Sequence, residues 1–438
     1  MNHPGNASYI GIDLGTSGCR AVAIDINGAV VASSMEVMPA SVRYNARSEQ
    51  QPRYWWDAVR HVLSGILEQI PAKNVSAIAI DGTSGTVFLI DDHGNPLGPA
   101  LMYDDARSQA EAAHIATVAP DTSAAHGPTS GLAKLLYLQQ QPFAHAAKHV
   151  VHQADWVGGQ LCGHFGTSDE NNCLKLGYDV VHRRWPEWFT TLKVRTELLP
   201  KVVAAGTAIG TIDNTIGNQF ELHPGTQIVA GTTDGVAAFL ATGANTIGDG
   251  VTSLGSTLVL KILSENPVFS PQHGVYSHRF GNQWLAGGAS NSGGKVLLHY
   301  FTQPQLDRMT PLLRPKQPTG LDYYPLSSRG ERFPLNDPAM MPRLSPRPQN
   351  DVVFFQGILE GIARIEADGY RLLADLGAPY PVSIRSVGGG ARNQAWTKIR
   401  ENLLKAPMLN AVHDQAAYGT ALLALQACRK AHPGGKSR

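Results

Sequence analysis

Apolar residues open the chain in short runs: Tyr9 to Ile12, Cys19 to Ile24, and a third run after the Asn27-Gly28 turn signal. The spacing predicts a meander of strand, tight turn, strand, turn, strand. Its first tip is Asp13-Leu14-Gly15-Thr16-Ser17-Gly18. Between Arg53 and Ile70, residues Trp56, Val59, Val62, Leu63, Ile66, Leu67 and Ile70 recur at helical spacing, and Val75 to Ile80 then reads as a buried strand ending in Asp81-Gly82-Thr83-Ser84-Gly85-Thr86. Strand, helix, strand in this order indicates α/β layering. The pattern recurs downstream. Gln227 to Ala230 is a short strand running into Gly231-Thr232-Thr233-Asp234-Gly235 and the helix-like Val236 to Leu240, and Val251 to Thr257 repeats the strand with a hydroxyl-glycine turn. The chain therefore reads as two related halves.

Asp351 to Leu376 carries apolar residues at mixed three and four spacing, which predicts a long helix interrupted or kinked near Gly369. Ile384 to Val387 reads as a strand feeding Gly388-Gly389-Gly390-Ala391-Arg392-Asn393, with a helix from about Gln394. Residues 303–350 are Pro-rich and weakly periodic, an ordered but irregular excursion; Ser168 to Tyr178 reads as a solvated loop, and Gly434 to Arg438 as a frayed end.

Composition narrows the function class. The 438 residues hold 36 Lys+Arg against 35 Asp+Glu, a formal charge of +1, which argues against a nucleic-acid scaffold. A hydrophobic fraction of 43% with 45 Gly and 28 Pro describes a turn-rich globular chain, and at roughly 150 residues per domain it predicts two or three domains. There is no run of about 18 apolar residues and no basic-plus-apolar leader, so a soluble cytoplasmic protein without a membrane partner is expected. Cys19, Cys162, Cys173 and Cys428 are widely spaced and read as free thiols, and none of the 16 histidines has metal-ligand spacing. Trp55, Trp56 and Trp156 read as core; Trp396 follows the Gly-rich loop.

The chemistry concentrates in turns. Four strand-end turns pair Gly with Ser or Thr, two of them with an Asp, and Asp81 precedes the turn at Ser84. Glycines admit phosphate oxygens to backbone N–H groups, short hydroxyls add donors, and a carboxylate holds magnesium through its water. Together these describe a nucleotide-phosphate cradle. Other cradles fail on spacing: Gly288 to Lys295 has an extra Gly before the Lys and Val296 where a P-loop needs Ser or Thr, and Asn393 replaces the last Gly of a dinucleotide fingerprint.

Six motifs in order resemble the FGGY carbohydrate kinases, of the superfamily of actin, hexokinase and sugar kinases. They are Asp13-Leu14-Gly15-Thr16-Ser17, Asp81-Gly82-Thr83-Ser84-Gly85, Gly231-Thr232-Thr233-Asp234, Gly255-Ser256-Thr257, Gly330-Glu331-Arg332-Phe333-Pro334 and Gly388-Gly389-Gly390-Ala391-Arg392-Asn393. The stretch Ala79 to Val87 is most similar to the D-ribulose kinases of the xylulose kinase-like branch. The resemblance implies an α/β fold of two ribonuclease-H-like domains with a ligand cleft between them. It places the first domain at residues 1–241, the second at 242–413, and a C-terminal helix and tail at 414–438 packing back on the first.

It further implies an ATP- and Mg2+-dependent kinase acting on a small-molecule sugar, D-ribulose giving D-ribulose 5-phosphate. Asp234 matches the general base. Asp13 would orient the metal and the sugar, with Gly15, Thr16 and Ser17 near the transferring phosphate and Ser84 on the sugar. Ser256 and Gly294 would cradle nucleotide phosphates, while Gly389, Gly390, Ala391 and Asn393 would line the nucleoside pocket. D-Xylulose kinases usually show Gln-Met-His where this chain has Thr83-Ser84-Gly85, and Tyr103 replaces the family's usual Trp before Asp-x-Arg. The alternatives are a D-xylulose or other ketose or polyol kinase, and a non-catalytic nucleotide-binding sugar sensor. The sequence leaves open whether the chain is a monomer or a homodimer.

Overall fold

The strand at Ser8–Leu14 is buried at every position, which a strand achieves only when both faces of its sheet are covered. The computed structural model describes residues 6–431, so the end expected to fray, 434–438, lies outside the described residues. The chain divides into two compact units, one running to Ala241 and resuming at Gln415, the other spanning Thr242–Asp414.

In the first unit, a six-stranded sheet runs in the order Ala208–Thr211, Gln227–Thr233, Val75–Gly82, Ser8–Leu14, Gly18–Ile24, Val30–Val37. Its three middle strands, 227–233, 75–82 and 8–14, are mutually parallel, and the outer ones return antiparallel. Side chains alternate across the sheet. Ile10, Ile12 and Leu14 join a cluster with Trp55, Val59, Val62 and Leu63 of the helix Pro52–Leu67, which starts with Pro at its first turn. Tyr9, Ala77, Ala79 and Val229 join the opposite cluster with Ala417, Ala421 and Ala424 of the C-terminal helix Ala416–Ala431. A smaller five-stranded sheet, Val42–Tyr44, Arg47–Gln50, Ala100–Leu101, Val87–Ile90 and His149–His152, completes this unit. Trp55 and Trp156 are core residues, packed edge-on to each other and to Phe88 at 5.7–6.4 Å.

The second unit repeats the plan. Its sheet runs Tyr276–Phe280, Gln283–Ser290, Leu258–Ser264, Asp249–Leu254, Ser383–Val387, Met408–Leu409, with the last three strands parallel. The long helix differs from expectation: Asp351–Asp375 is one unbroken helix, capped by the Asn350 carboxamide accepting from Val352 N at 2.9 Å. Gly369 is there for close packing, because a Cβ at that position would lie 2.6 Å from Leu260 Cδ1 and 2.7 Å from Phe333 Cε1. The 303–350 excursion contains the helix Gln303–Met309 and sends Tyr323, Leu326 and Phe333 into the core beside Phe354 and Phe355.

Candidate active site

Parallel pairing brings three carboxylates to one edge of the first unit. Ser8–Leu14 pairs with Val75–Gly82 so that Asp13 lies opposite Asp81. On the other side Gln227–Thr233 ends with Thr233 opposite Gly82, so Asp234 opens the helix Asp234–Ala241 at the same level. Carboxyl ends of adjacent parallel strands are where open α/β sheets receive ligands.

Their environments differ. Asp81 is fully buried; its Oδ2 accepts from Thr420 Oγ1 of the C-terminal helix, while Oδ1 meets no donor among the described residues. Burial and the adjacent Asp13 carboxyl hold Asp81 well above the usual carboxylate range, so it keeps its proton and donates to Asp13. Asp13, 8% exposed, is pushed up to about 6 by burial, against the Asp81 hydrogen bond, with Asp234 raising it further and Arg20 at 3.9 Å lowering it. Asp234 is half-buried, and its Oδ1 accepts from Gly235 N at 2.6 Å.

The neighbouring turns are pinned from behind. Gly15 N donates to Gly18 O at 3.0 Å, leaving Ser17 exposed at the tip; Thr16 O accepts from Gln50 Nε2 at 3.3 Å, and Gln50 Oε1 accepts from Trp55 Nε1 at 2.6 Å. Beyond Gly82, Thr83 Oγ1 bonds Gln153 Oε1 at 2.9 Å and Thr86 Oγ1 at 2.6 Å. The Ser84 hydroxyl between them is buried and has no partner among the described residues. Lys134, wholly buried, donates from Nζ to Gly85 O at 2.8 Å and Met102 O at 2.7 Å, tying this turn to the segment that carries Tyr103. Burial lowers the Lys134 ammonium to about 7.

Sequence reasoning missed Lys134 and Thr420. Each is the polar residue within an apolar stretch, Leu132 to Leu136 and Ala416 to Ala424, and that is the signal that marks them. It also misplaced Ser168 to Tyr178. That segment is not solvated: Ser168, Asp169, Glu170, Asn171 and Asn172 are all buried, and Asn171 Nδ2 donates to Thr232 Oγ1 at 3.0 Å, two residues before Asp234. The reason is local, since Asp169 Oδ1 caps the turn by accepting from Asn171 N at 2.8 Å and Asn172 N at 3.2 Å.

In the second unit the turn residues converge on one strand edge without a carboxylate. Ser253 lies opposite Val387, so the loops at Gly255-Ser256-Thr257 and Gly388-Gly389-Gly390 leave the sheet side by side. Gly388 has φ +84, and a Cβ there would meet Leu254 O at 2.9 Å. Gly294 N donates to Gly255 O at 2.8 Å, which brings the third loop in. Ser256 and Gly389 are exposed, whereas Gly294, Gly390, Ala391 and Asn393 are half-buried. Asn393 is also a helix cap, its Oδ1 accepting from Trp396 N at 2.9 Å. Trp396 is 2% exposed, packs against Gly390 and donates to Leu359 O at 3.1 Å, so its indole braces the loop from inside the core. Glu331 of the Gly330-Glu331-Arg332 motif is buried and accepts from Ser290 Oγ at 2.6 Å, Asn291 N at 2.8 Å and Tyr324 OH at 3.0 Å.

Residues 8–241 match the N-terminal domain of the FGGY family of carbohydrate kinases, and residues 250–428 match its C-terminal domain. The chain belongs to the FGGY family of carbohydrate kinases. It is similar to the xylulose kinase of Escherichia coli (strain K12), 25% identical over 417 residues, covering 89% of this chain and 84% of that one. It is also similar to the gluconokinase of Bacillus subtilis (strain 168), 23% identical, covering 96% and 88%. A crystal structure from Brucella ovis, named a xyloylose kinase, superposes with a TM-score of 0.90 at 25% identity, covering 97% and 91%. The mixed α/β, two-unit architecture is that of FGGY kinase structures. FGGY kinases generally use ATP with a divalent metal, and this chain's activity is ATP-dependent phosphorylation of a sugar.

Among the described residues no helix is long and apolar enough to cross a membrane. No group of three or more His, Cys, Asp or Glu among them is placed as a metal cage. Magnesium in kinases takes one or two carboxylates, phosphate oxygens and water instead. Asp13 fits that need: it is a hard oxygen donor whose partner Asp81 holds the proton of the pair.

Proposed function

We propose that this FGGY kinase phosphorylates a five-carbon ketose, with D-ribulose and ATP giving D-ribulose 5-phosphate and ADP. The observation that carries the reading is the meeting of Asp13, Asp81 and Asp234 on one strand edge that continues directly into Thr83-Ser84-Gly85. That turn is made of small residues and offers a sugar hydroxyl groups rather than an imidazole. A rotation of Ser84 about χ1 gives its unpartnered Oγ a bond to a sugar hydroxyl, which removes the cost of leaving it buried and unmade.

In this reading Asp234, opening its helix with one oxygen on Gly235 N, is the general base that takes the proton of the sugar's terminal hydroxyl as that oxygen attacks the γ-phosphorus. Asp13 would hold the magnesium of Mg-ATP, which when bound supplies positive charge against the phosphate oxygens. Gly15, Thr16 and Ser17 lie at the adjoining tip and would stand near the phosphoryl group as it passes to the sugar. In the second unit Ser256 and Gly294 take the nucleotide phosphates. Gly389, Gly390, Ala391 and Asn393 form the floor of the nucleoside pocket, held rigid by the Asn393 cap and the Trp396 brace.

A second reading, D-xylulose as acceptor, is favoured by the relatives named xylulose kinase. An ADP-release assay with Mg-ATP across D-ribulose, D-xylulose, L-ribulose, ribitol, glycerol, gluconate and no sugar separates them. The highest kcat/KM for D-ribulose supports the first reading and for D-xylulose the second. Equal slow release with every acceptor would defeat both.

A further inference from the structure

Between the buried turn at Glu170 and the strand Lys201–Val203, the first unit holds a cavity of about 420 Å3 that no role above uses. Arg183, Arg184 and Lys201 line it together with Tyr178 and Trp185, and no acidic residue does. The loop presenting the arginines is rigidly built. Asp179 and Arg184 exchange both backbone hydrogen bonds, at 3.0 and 3.3 Å, and Asp179 Oδ1 accepts from Val181 N and His182 N at 3.0 Å each. That closure holds Arg183 at φ 53, a left-handed conformation that a side chain with a Cβ adopts only when its surroundings impose it. The rings are fixed as well: Tyr178 and Trp185 pack edge to face at 5.1 Å, and Trp185 Nε1 donates to Pro200 O at 3.3 Å.

The charges are not balanced. Arg183 Nε reaches the buried Glu170 carboxylate at 3.5 Å, but Arg184 and Lys201 have no carboxylate within ion-pair distance among the described residues. A solvated basic loop would spread such side chains over a convex surface. Here they share one open concavity with two rings, so their fields add on whatever enters. A phosphate dianion matches the surplus of two cations and the planar fork of Arg184. The rings match the C–H face of a sugar, so an inorganic ion alone leaves half of the lining unused.

We infer that this cavity binds a sugar phosphate, its dianion on Arg184 and Lys201 and its carbon face on Trp185 and Tyr178. None of Asp13, Asp81 and Asp234 lines the cavity, so this site stands whichever sugar the kinase phosphorylates. Calorimetric titration of the full chain at low salt tests it, with D-ribose 5-phosphate as probe and inorganic phosphate and D-ribose as its two fragments. The expected result is binding of the probe tighter than either fragment, weakened about tenfold or more by Arg184→Ala with Lys201→Ala, both exposed side chains. ADP release at saturating substrates stays within about twofold in that variant, which also reports that it is folded. Lys201→Gln alone gives the same reading on a smaller scale. Unchanged affinity in the double variant, no binding by the wild-type chain, or inorganic phosphate binding as well as the sugar phosphate would each overturn the inference.

Discussion

The two units end their parallel strands in opposite electrostatic states. In the first, Asp13, Asp81 and Asp234 stand on neighbouring strand ends, and Asp81 is buried with one oxygen that finds no donor. In the second, the corresponding ends are Leu254-Gly255 and Val387-Gly388, and a buried carboxylate beneath them, Glu366, has its charge matched by Arg400. Arg400 grips Glu366 through two bonds of 2.6 and 2.7 Å and donates to Ser386 Oγ at 2.6 Å, while Thr252 Oγ1 donates to Glu366 Oε1 at 2.6 Å. Thr252 and Ser386 belong to the two strands whose loops form the glycine edge. An edge that receives polyphosphate cannot carry free carboxylates, because like charges at close range in a low dielectric repel by several kcal/mol. One topology thus gives an edge rich in carboxylates in the first unit and an edge free of them at Gly255 and Gly388 in the second.

The largest effect should come from removing the proposed base. Asp234→Ala is expected to lower phosphoryl transfer by roughly a hundred- to ten-thousand-fold, with the melting temperature close to that of the wild type. ADP release with saturating pentulose and Mg-ATP measures it, and turnover near the wild-type value would remove Asp234 from the role.

Next is the charge-matched edge. Arg400→Met leaves the Glu366 carboxylate buried and unpaired, which costs about 3–5 kcal/mol, whereas the double variant with Glu366→Gln recovers much of it. Urea unfolding followed through the second unit reads the difference. Equal losses in the single and double variants would show that packing, not charge, holds this edge.

Lys134 tests the other side at lower cost. Lys134→Met strands the Gly85 and Met102 carbonyls, expected to cost about 1–3 kcal/mol, and it frees the Ser84 turn, so KM for the sugar rises while KM for ATP stays fixed. The pH dependence has a definite sign. Burial lowers Lys134 from 10.5 to about 7, so between these values the unfolded chain binds the extra proton and stability rises with pH. In the Met variant that part of the slope disappears.

How much of this was legible in the sequence depends on the range of the interaction. The strand-end turns were readable because hydrophobic runs, glycines and hydroxyls are local signals, and Asp13, Ser84 and Asp234 stand where those runs stop. The long helix showed its periodicity, but Gly369 read as a break because its reason, Phe333 and Leu260 packed against it, comes from distant parts of the chain. The 168–178 segment looked solvated from its polar composition; its asparagines are buried with their amide groups donating to Thr232 Oγ1 and Asp169 Oδ2. Thr420 on Asp81 joins residues 339 apart, and no local pattern carries such a pair.

The last effect on stability is the one that most sharply divides the fold from its chemistry. Asp13 is pushed up to about 6 mainly by burial, whereas an unfolded Asp titrates near 3.9, about two units lower. Between those values the native state binds more protons, so stability falls as pH rises through the window and the ionised carboxylate is a standing cost at pH 7. Asp13→Asn removes that charge and should raise stability at pH 7 by about 2–3 kcal/mol, with no gain at pH 4. The same substitution removes the negative charge proposed to hold the metal, so activity should collapse. In the wild type, activity should fall as pH drops through about 6 while resistance to urea increases. Parallel rather than opposed pH profiles would mean that Asp13 serves the fold, and that the unbalanced edge of the first unit has another purpose.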